Sequence, residues 1–155
     1  MKLYLATDHA GFELKEKVKA WLSDKGDHEV IDCGAKELHE GDDYPTFIAI
    51  AAKHIQDDAL HAPAMGIIFG GSGTGEAIVS NRFRHVRASI YAGGTLELVQ
   101  LAREHNDANV LSIGARFVTF EEAQKAIEVF LATPFSHAER HSDRIIMIDE
   151  LTKTH

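Results

Sequence analysis

The chain has one cysteine, Cys33, in 155 residues. No internal disulfide can form, and a reducing, cytoplasmic setting is expected. Long apolar runs are missing as well. Nothing approaches the roughly 18 consecutive apolar residues of a membrane span. The opening MKLYLATDHAGFELK meets Asp8 and His9 after about five apolar residues, so no signal peptide is expected there. Positive charge is not in excess: the formal net charge is −8, which argues against nonspecific nucleic-acid binding. An anion approaching so acidic a protein must be met by a local cluster of cations. Repeats and low-complexity segments are absent. What is present is 45% hydrophobic residues, enough for a folded globule, in a length that suits one domain over residues 1–155.

Strand-like and helix-like patterns alternate along the chain, which predicts an α/β fold with a mainly parallel sheet. LYLAT (3–7), HEVIDCG (28–34), GIIFGG (66–71), RASIYA (87–92) and NVLSIGA (109–115) read as five strands. Leu14, Val18, Trp21 and Leu22 form one helical stripe; Ala123, Ile127, Phe130 and Leu131 form another. Pro45 suits the first turn of a helix reaching about Gln56. Further helices are expected over about 74–81 and 95–105. Thr119 with Glu122 makes a capping box, and Pro134 stops the helix that follows. A last helix, from about Asp143 to Leu151, carries Ile145, Ile148 and Leu151 on one side and has no strand after it. Such a leftover helix suits packing on a second copy.

In open parallel sheets, ligands bind beyond the carboxyl ends of the strands, where strand order reverses. In common five-stranded orders that point lies between strands 1 and 3. The loop after strand 1 is Asp8-His9-Ala10-Gly11, and the loop after strand 3 is Gly70-Gly71-Ser72-Gly73-Thr74-Gly75-Glu76. The glycines let backbone approach a ligand closely, and N–H groups at the next helix start form an anion-binding concavity. The spacing and position exclude the dinucleotide fingerprint, and the absence of a following Lys-Ser or Lys-Thr excludes a P-loop. A tight turn that merely needs flexible residues is the plain alternative.

Other polar groups also have two readings. Glu76, in a first helical turn, is either a dipole partner or a general base whose pKa burial must raise against that dipole. Asp8 is a helix cap or, with His9, a ligand-binding pair. His105 and Asn106 end a helix, where a cationic His and an Asn cap are ordinary; the alternative is an acid beside a substrate-fixing amide. Arg116 follows strand 5 at the ligand-facing edge. Arg140 and Arg144 lie four apart, on one helical face, as a phosphate clamp or as solvated partners of Glu139 and Asp143. HAERH (137–141) fails the zinc-protease pattern. His137 and His141 lack an evident third ligand, so no metal site is expected.

Taken together, DHAG (8–11), IDCGA (31–35), DYP (43–45), GGSGTGE (70–76), AREHN (102–106), IGAR (113–116) and TPFSHAERHSDRI (133–145) resemble the ribose-5-phosphate isomerase B family. That family of sugar-phosphate isomerases also includes galactose-6-phosphate and allose-6-phosphate isomerases. The resemblance covers nearly the whole chain, in order and spacing. It implies a single Rossmann-like three-layer α/β/α domain with a five-stranded parallel sheet and an extra C-terminal helix. It implies a homodimer, or a dimer of dimers, whose active sites draw on both subunits, with no metal and no organic cofactor. By the same resemblance Asp8 and His9 hold the substrate, and Gly71, Ser72, Gly73, Thr74 and Gly75 cradle its reacting end. His105 is the acid that opens the furanose ring, with Asn106 beside it. Arg116, Arg140 and Arg144 bind the phosphate.

One departure bears on mechanism. Many members place a catalytic Cys where this chain has Ser72, and Cys33 belongs to a different motif. A serine hydroxyl is too weak an acid to replace a thiolate at neutral pH without a neighbouring base. A subset of the family has Ser there and Glu after the last glycine, and in that subset the Glu is the base. The expected reaction is therefore interconversion of D-ribose 5-phosphate and D-ribulose 5-phosphate in the pentose phosphate pathway, with Glu76 as base. A hexose 6-phosphate or tetrulose 4-phosphate isomerase, and a noncatalytic nucleotide-binding module of flavodoxin-like build, stay open as alternatives.

Overall fold

The computed structural model describes residues 1–152. Five strands form one parallel sheet: β1 (Lys2–Ala6), β2 (Glu29–Asp32), β3 (Ala64–Gly70), β4 (Ala88–Tyr91) and β5 (Val110–Gly114). Six helices accompany them: α1 (Phe12–Lys25), α2 (Tyr44–Asp58), α3 (Thr74–Ser80), α4 (Glu97–Asn106), α5 (Phe120–Ala132) and α6 (Glu139–Leu151). None of them is long and apolar enough to cross a membrane. A 3-10 turn over His9–Gly11 joins β1 to α1.

The period-2 alternation of the strands separates two cores. Leu3, Leu5, Ile67, Phe69, Leu111 and Ile113 face α1, α4 and α5, meeting Val18, Leu22, Val99, Ile127 and Phe130. The intervening residues Tyr4, Ala6, Ile68 and Val110 face Ile48, Ala51 and Ile55 of α2. The result is a three-layer, Rossmann-like α/β/α sandwich. Ile127 and Phe130 are wholly buried, each contributing about 1.5–3 kcal/mol through removal from water. The Thr119–Glu122 capping box forms as expected and fixes the start of α5.

Strand order is β2-β1-β3-β5-β4. The chain moves outward from β1 to β2, then returns to place β3 on the other flank of β1. The reversal therefore lies between β1 and β3, as the sequence predicts. A feature the sequence did not show is that β5 inserts between β3 and β4, in register Phe69↔Ile113 and Gly70↔Gly114. This sets the end of β5, with Arg116 just beyond it, directly beside the glycine turn.

α6 begins at Glu139 rather than near Asp143. Its first turn lacks an apolar stripe, and is anchored instead by His141, buried against the end of α4. Further along α6, Ile146, Met147, Ile148 and Leu151 are exposed.

Candidate active site

A cleft of about 520 Å³ opens at the carboxyl ends of β1, β3 and β5, lined by Asp8, His9, Tyr44, Gly71, Ser72, Gly75, Glu76, Arg116 and Phe117, with Ala10. Its floor is the glycine turn. Gly73 takes a left-handed conformation, φ 77°, which costs a residue with a Cβ about 1–2 kcal/mol. Its carbonyl accepts a hydrogen bond from Ser112 Oγ at 2.6 Å. Arg116 N–H donates to the Gly71 carbonyl at 3.2 Å. These bonds tie the turn to β5.

Glu76 stands in the first turn of α3 and is 4% exposed. Its carboxylate folds back over Gly70, so that a Cβ on Gly70 would overlap both carboxylate oxygens. Burial pushes its pKa up, its own backbone N–H pulls it down, and the Asp8 carboxylate pushes it up further. Burial, the largest of these effects, outweighs the local N–H dipole, so the net direction is upward. A Gly70→Ala variant is expected to expel the Glu76 side chain and lose most turnover; wild-type kcat in that variant would contradict this placement.

Asp8 and His9 are organised by their loop. Asp8 does cap the turn that follows it: its carboxylate accepts from Ala10 N–H at 2.9 Å, and the residue is 5% exposed. It therefore fills the structural role while also facing the cleft. Asp42 accepts from both the backbone N–H and the ring Nδ1 of His9, each at 2.8 Å. That side-chain bond raises the His9 pKa against the opposing effect of desolvation, with the charges of Asp8 and Asp42 adding to it. His9 consequently stays cationic to higher pH than an ordinary imidazole, and loses the charge as pH rises through its raised value. Asp42→Asn should move the His9 titration to lower pH, read from its ring-proton NMR shifts; an unmoved midpoint would sink this account.

The loop that delivers Asp42 is itself pinned. Lys15, wholly buried, donates to Asp32 at 2.8 Å and to the Ala35 carbonyl at 2.7 Å. Asp32 in turn accepts from Gly34 N–H at 3.0 Å. Asp8, His9 and Asp42 bring one potential ligand atom each within 4.8 Å of one another, the one such group among the described residues. The His9 nitrogen in that group is already hydrogen-bonded to Asp42.

The remaining expected site residues separate into two sets. Ser72 is exposed and its Oγ accepts from Thr74 N–H at 3.3 Å. Gly73 is buried and Thr74 starts α3; neither lines the cleft. Arg116 spreads its guanidinium over Gly71, the position of a Cβ there lying 3.4 Å from Nη1. His105, Asn106, Arg140 and Arg144 lie elsewhere. α4 runs antiparallel to the strands, so His105 and Asn106 emerge at the amino end of β5. That is about 15 Å from its carboxyl end at ~3.3 Å per residue. Asn106 is the last helical residue, and Asp107 supplies the left-handed cap, φ 45°. The cap expected at Asn106 is therefore displaced by one residue. Arg140 and Arg144 sit on α6, exposed, with no carboxylate partner among the described residues. The alternative of salt bridges to Glu139 and Asp143 does not form among the described residues.

Two cleft residues escaped the sequence reading. Tyr44 lies over Gly75, its hydroxyl 2.5 Å from where a Cβ would stand. Phe117 follows Arg116 and is 63% exposed. The DYP string contains Tyr44, where Pro45 carries the helix-start signal and nothing local marks the tyrosine as a cleft residue.

A parallel α/β sheet with a polar cleft and a buried carboxylate at its switch point is the arrangement in which such folds bind small molecules. Residues 3–148 match the Ribose/Galactose Isomerase family. The ribose-5-phosphate isomerase B of Mycolicibacterium paratuberculosis is 43% identical across all of this chain and 94% of its own. Among solved structures, ribose-5-phosphate isomerase B from Mycoplasma genitalium, with bound ribulose-5-phosphate, aligns with a TM-score of 0.90 at 32% identity. That alignment covers 98% of this chain and 96% of the other. The Thermotoga maritima ribose 5-phosphate isomerase aligns at 0.82 with 40% identity, covering 96% and 97%. The chain belongs to the Ribose/Galactose Isomerase family and is an isomerase.

Proposed function

We propose that the chain, as one sugar-phosphate isomerase domain over residues 1–155, interconverts D-ribose 5-phosphate and D-ribulose 5-phosphate. It would do so in the cytoplasm, as a step of the pentose phosphate pathway. The observation that carries the mechanism is the buried Glu76 carboxylate held over Gly70 at the cleft floor. Glu76 takes the proton from carbon 2 of the open-chain aldose, and the electron pair moves through the C1–C2 bond onto the carbonyl oxygen. The resulting enediolate is stabilised by N–H groups of the turn and by Ser72. The carbon-2 hydroxyl proton passes to the carbon-1 oxygen, and Glu76 returns its proton to carbon 1 as the carbonyl forms at carbon 2. Asp8 and His9 hold the substrate. Arg116, Arg140 and Arg144 bind the phosphate, so that remote binding energy positions the reacting carbons.

In this reading His105 opens the ring and Asn106 fixes the substrate beside it. The distance between the two ends of the sheet supports a homodimer in which one subunit supplies Glu76 and the other His105, Asn106, Arg140 and Arg144. Exposed Ile146, Met147, Ile148 and Leu151 on α6 offer apolar surface for that association. An isomerase assay comparing kcat/KM over pentose, hexose and tetrose phosphates tests the substrate. Highest kcat/KM for ribose 5-phosphate is expected. A preference for a hexose 6-phosphate would overturn it, and absence of any exchange of substrate carbon-bound hydrogen with deuterated water would leave a binding module instead.

A further inference from the structure

His141 is buried, 4% exposed, and takes no step in the reaction just described. Yet it bridges two residues that do. Its Nδ1 lies 3.1 Å from the backbone carbonyl of His105, and its Nε2 lies 2.8 Å from Arg140 Nε. The rings of His105 and His141 pack at 4.2 Å between centroids, tilted by 57°. A carbonyl oxygen can only accept and a guanidinium N–H can only donate. The partners therefore assign a neutral ring with the proton on Nδ1 and the lone pair on Nε2 facing Arg140. An imidazolium would set N–H against N–H at Arg140 and lose that bond. The same pairing occupies both ring nitrogens of His141.

The Arg140 geometry gives this bridge a purpose. A guanidinium has three nitrogens on one planar fork. Nε is held by His141, and the two terminal nitrogens remain for bidentate binding of a phosphate. Arg140 is otherwise an exposed, flexible side chain with no carboxylate partner among the described residues. Fixing it before the ligand arrives removes part of the ordering cost of binding. The ring contact meanwhile limits the orientations open to the His105 imidazole.

We infer that His141, as the neutral Nδ1–H tautomer, is the positioning residue that pre-orients Arg140 for a phosphate and holds His105 in its working orientation. This rests on the reading of Arg140 and His105 given above. Two substitutions divide its functions. His141→Asn keeps an N–H donor near the Nδ1 position and removes the acceptor for Arg140. His141→Gln places an amide oxygen near the Nε2 position and gives up the donor to His105.

The experiment measures ribose 5-phosphate kinetics, and the Kd of inorganic phosphate by calorimetry, on the intact protein. His141→Asn should raise KM and the phosphate Kd about tenfold, with kcat nearly unchanged. His141→Gln should lower kcat while largely keeping phosphate affinity. In an Arg140→Ala background, His141→Asn should add less than about twofold to the phosphate Kd, because residues that act through one another are not additive. Unchanged phosphate affinity in His141→Asn, a parallel loss of both parameters in the two variants, or full additivity with Arg140→Ala would each overturn the inference. Should the variants fail to fold, nitrogen-15 NMR of the unaltered protein still decides: a proton on Nδ1 is expected at His141, and a proton on Nε2 overturns it. Phosphate binding does not depend on the sugar. An unaltered protein inactive on ribose 5-phosphate would therefore sink the proposed function alone, while the phosphate series still tests His141.

Discussion

Replacing Glu76 by Gln is expected to lower kcat about 10²–10⁴-fold, the usual worth of a positioned general base, while the protein folds and binds its sugar phosphate normally. Gln is nearly isosteric and fits the space over Gly70, so lost activity with unchanged KM would report lost proton transfer rather than lost shape. Near-normal turnover would remove Glu76 from the mechanism.

The same substitution has a stability signature of opposite sign. The folded state keeps the Glu76 proton to higher pH than the unfolded chain does, because burial raises its pKa above the ordinary 4.5. Its contribution to stability is therefore fully present below that ordinary value and is lost as pH rises through the raised one. Gln does not titrate. The Tm of Glu76→Gln should thus exceed that of the unaltered protein at neutral pH, and the gap should close on acidification. Over the same range kcat/KM of the unaltered protein should fall as pH drops through the raised pKa, since only the ionised carboxylate accepts a proton. A Gln variant with a lower Tm than the unaltered protein at neutral pH would mean the carboxylate is paired rather than stranded.

Mixing two inactive variants, Glu76→Gln and His105→Asn, is expected to restore activity. In the proposed dimer with shared sites, random exchange would make half of the dimers mixed, and in each mixed dimer one of the two symmetry-related sites would keep both an intact Glu76 and an intact His105. About a quarter of the sites would then be whole, far above the residual rate of either variant alone. If Glu76 and His105 of the same chain worked together, every site would carry a defect and mixing would recover nothing. The test therefore reads directly whether the two ends of the sheet meet across subunits.

The amino-acid sequence by itself determined the alternating α/β pattern with a mainly parallel sheet, because period-2 strands and helical stripes are local patterns whose apolar faces must be buried whatever the neighbours are. It also placed Asp8, His9, Gly71, Ser72, Gly75, Glu76 and Arg116 at one edge. Each follows closely on the carboxyl end of β1, β3 or β5, and parallel strands carry those ends to the same side. Only the tertiary structure decided the rest. Insertion of β5 beside β3 depends on which strand edges pair, and that choice involves contacts between Gly70 and Gly114, far apart in the chain. Tyr44 and Asp42 reach the cleft because α2 packs on the sheet and Lys15 pins the preceding loop. No local pattern encodes either. The pKa of Glu76 followed the same rule: its first-turn position points toward a lowered value, and burial against Gly70, a property of packing alone, reversed the sign.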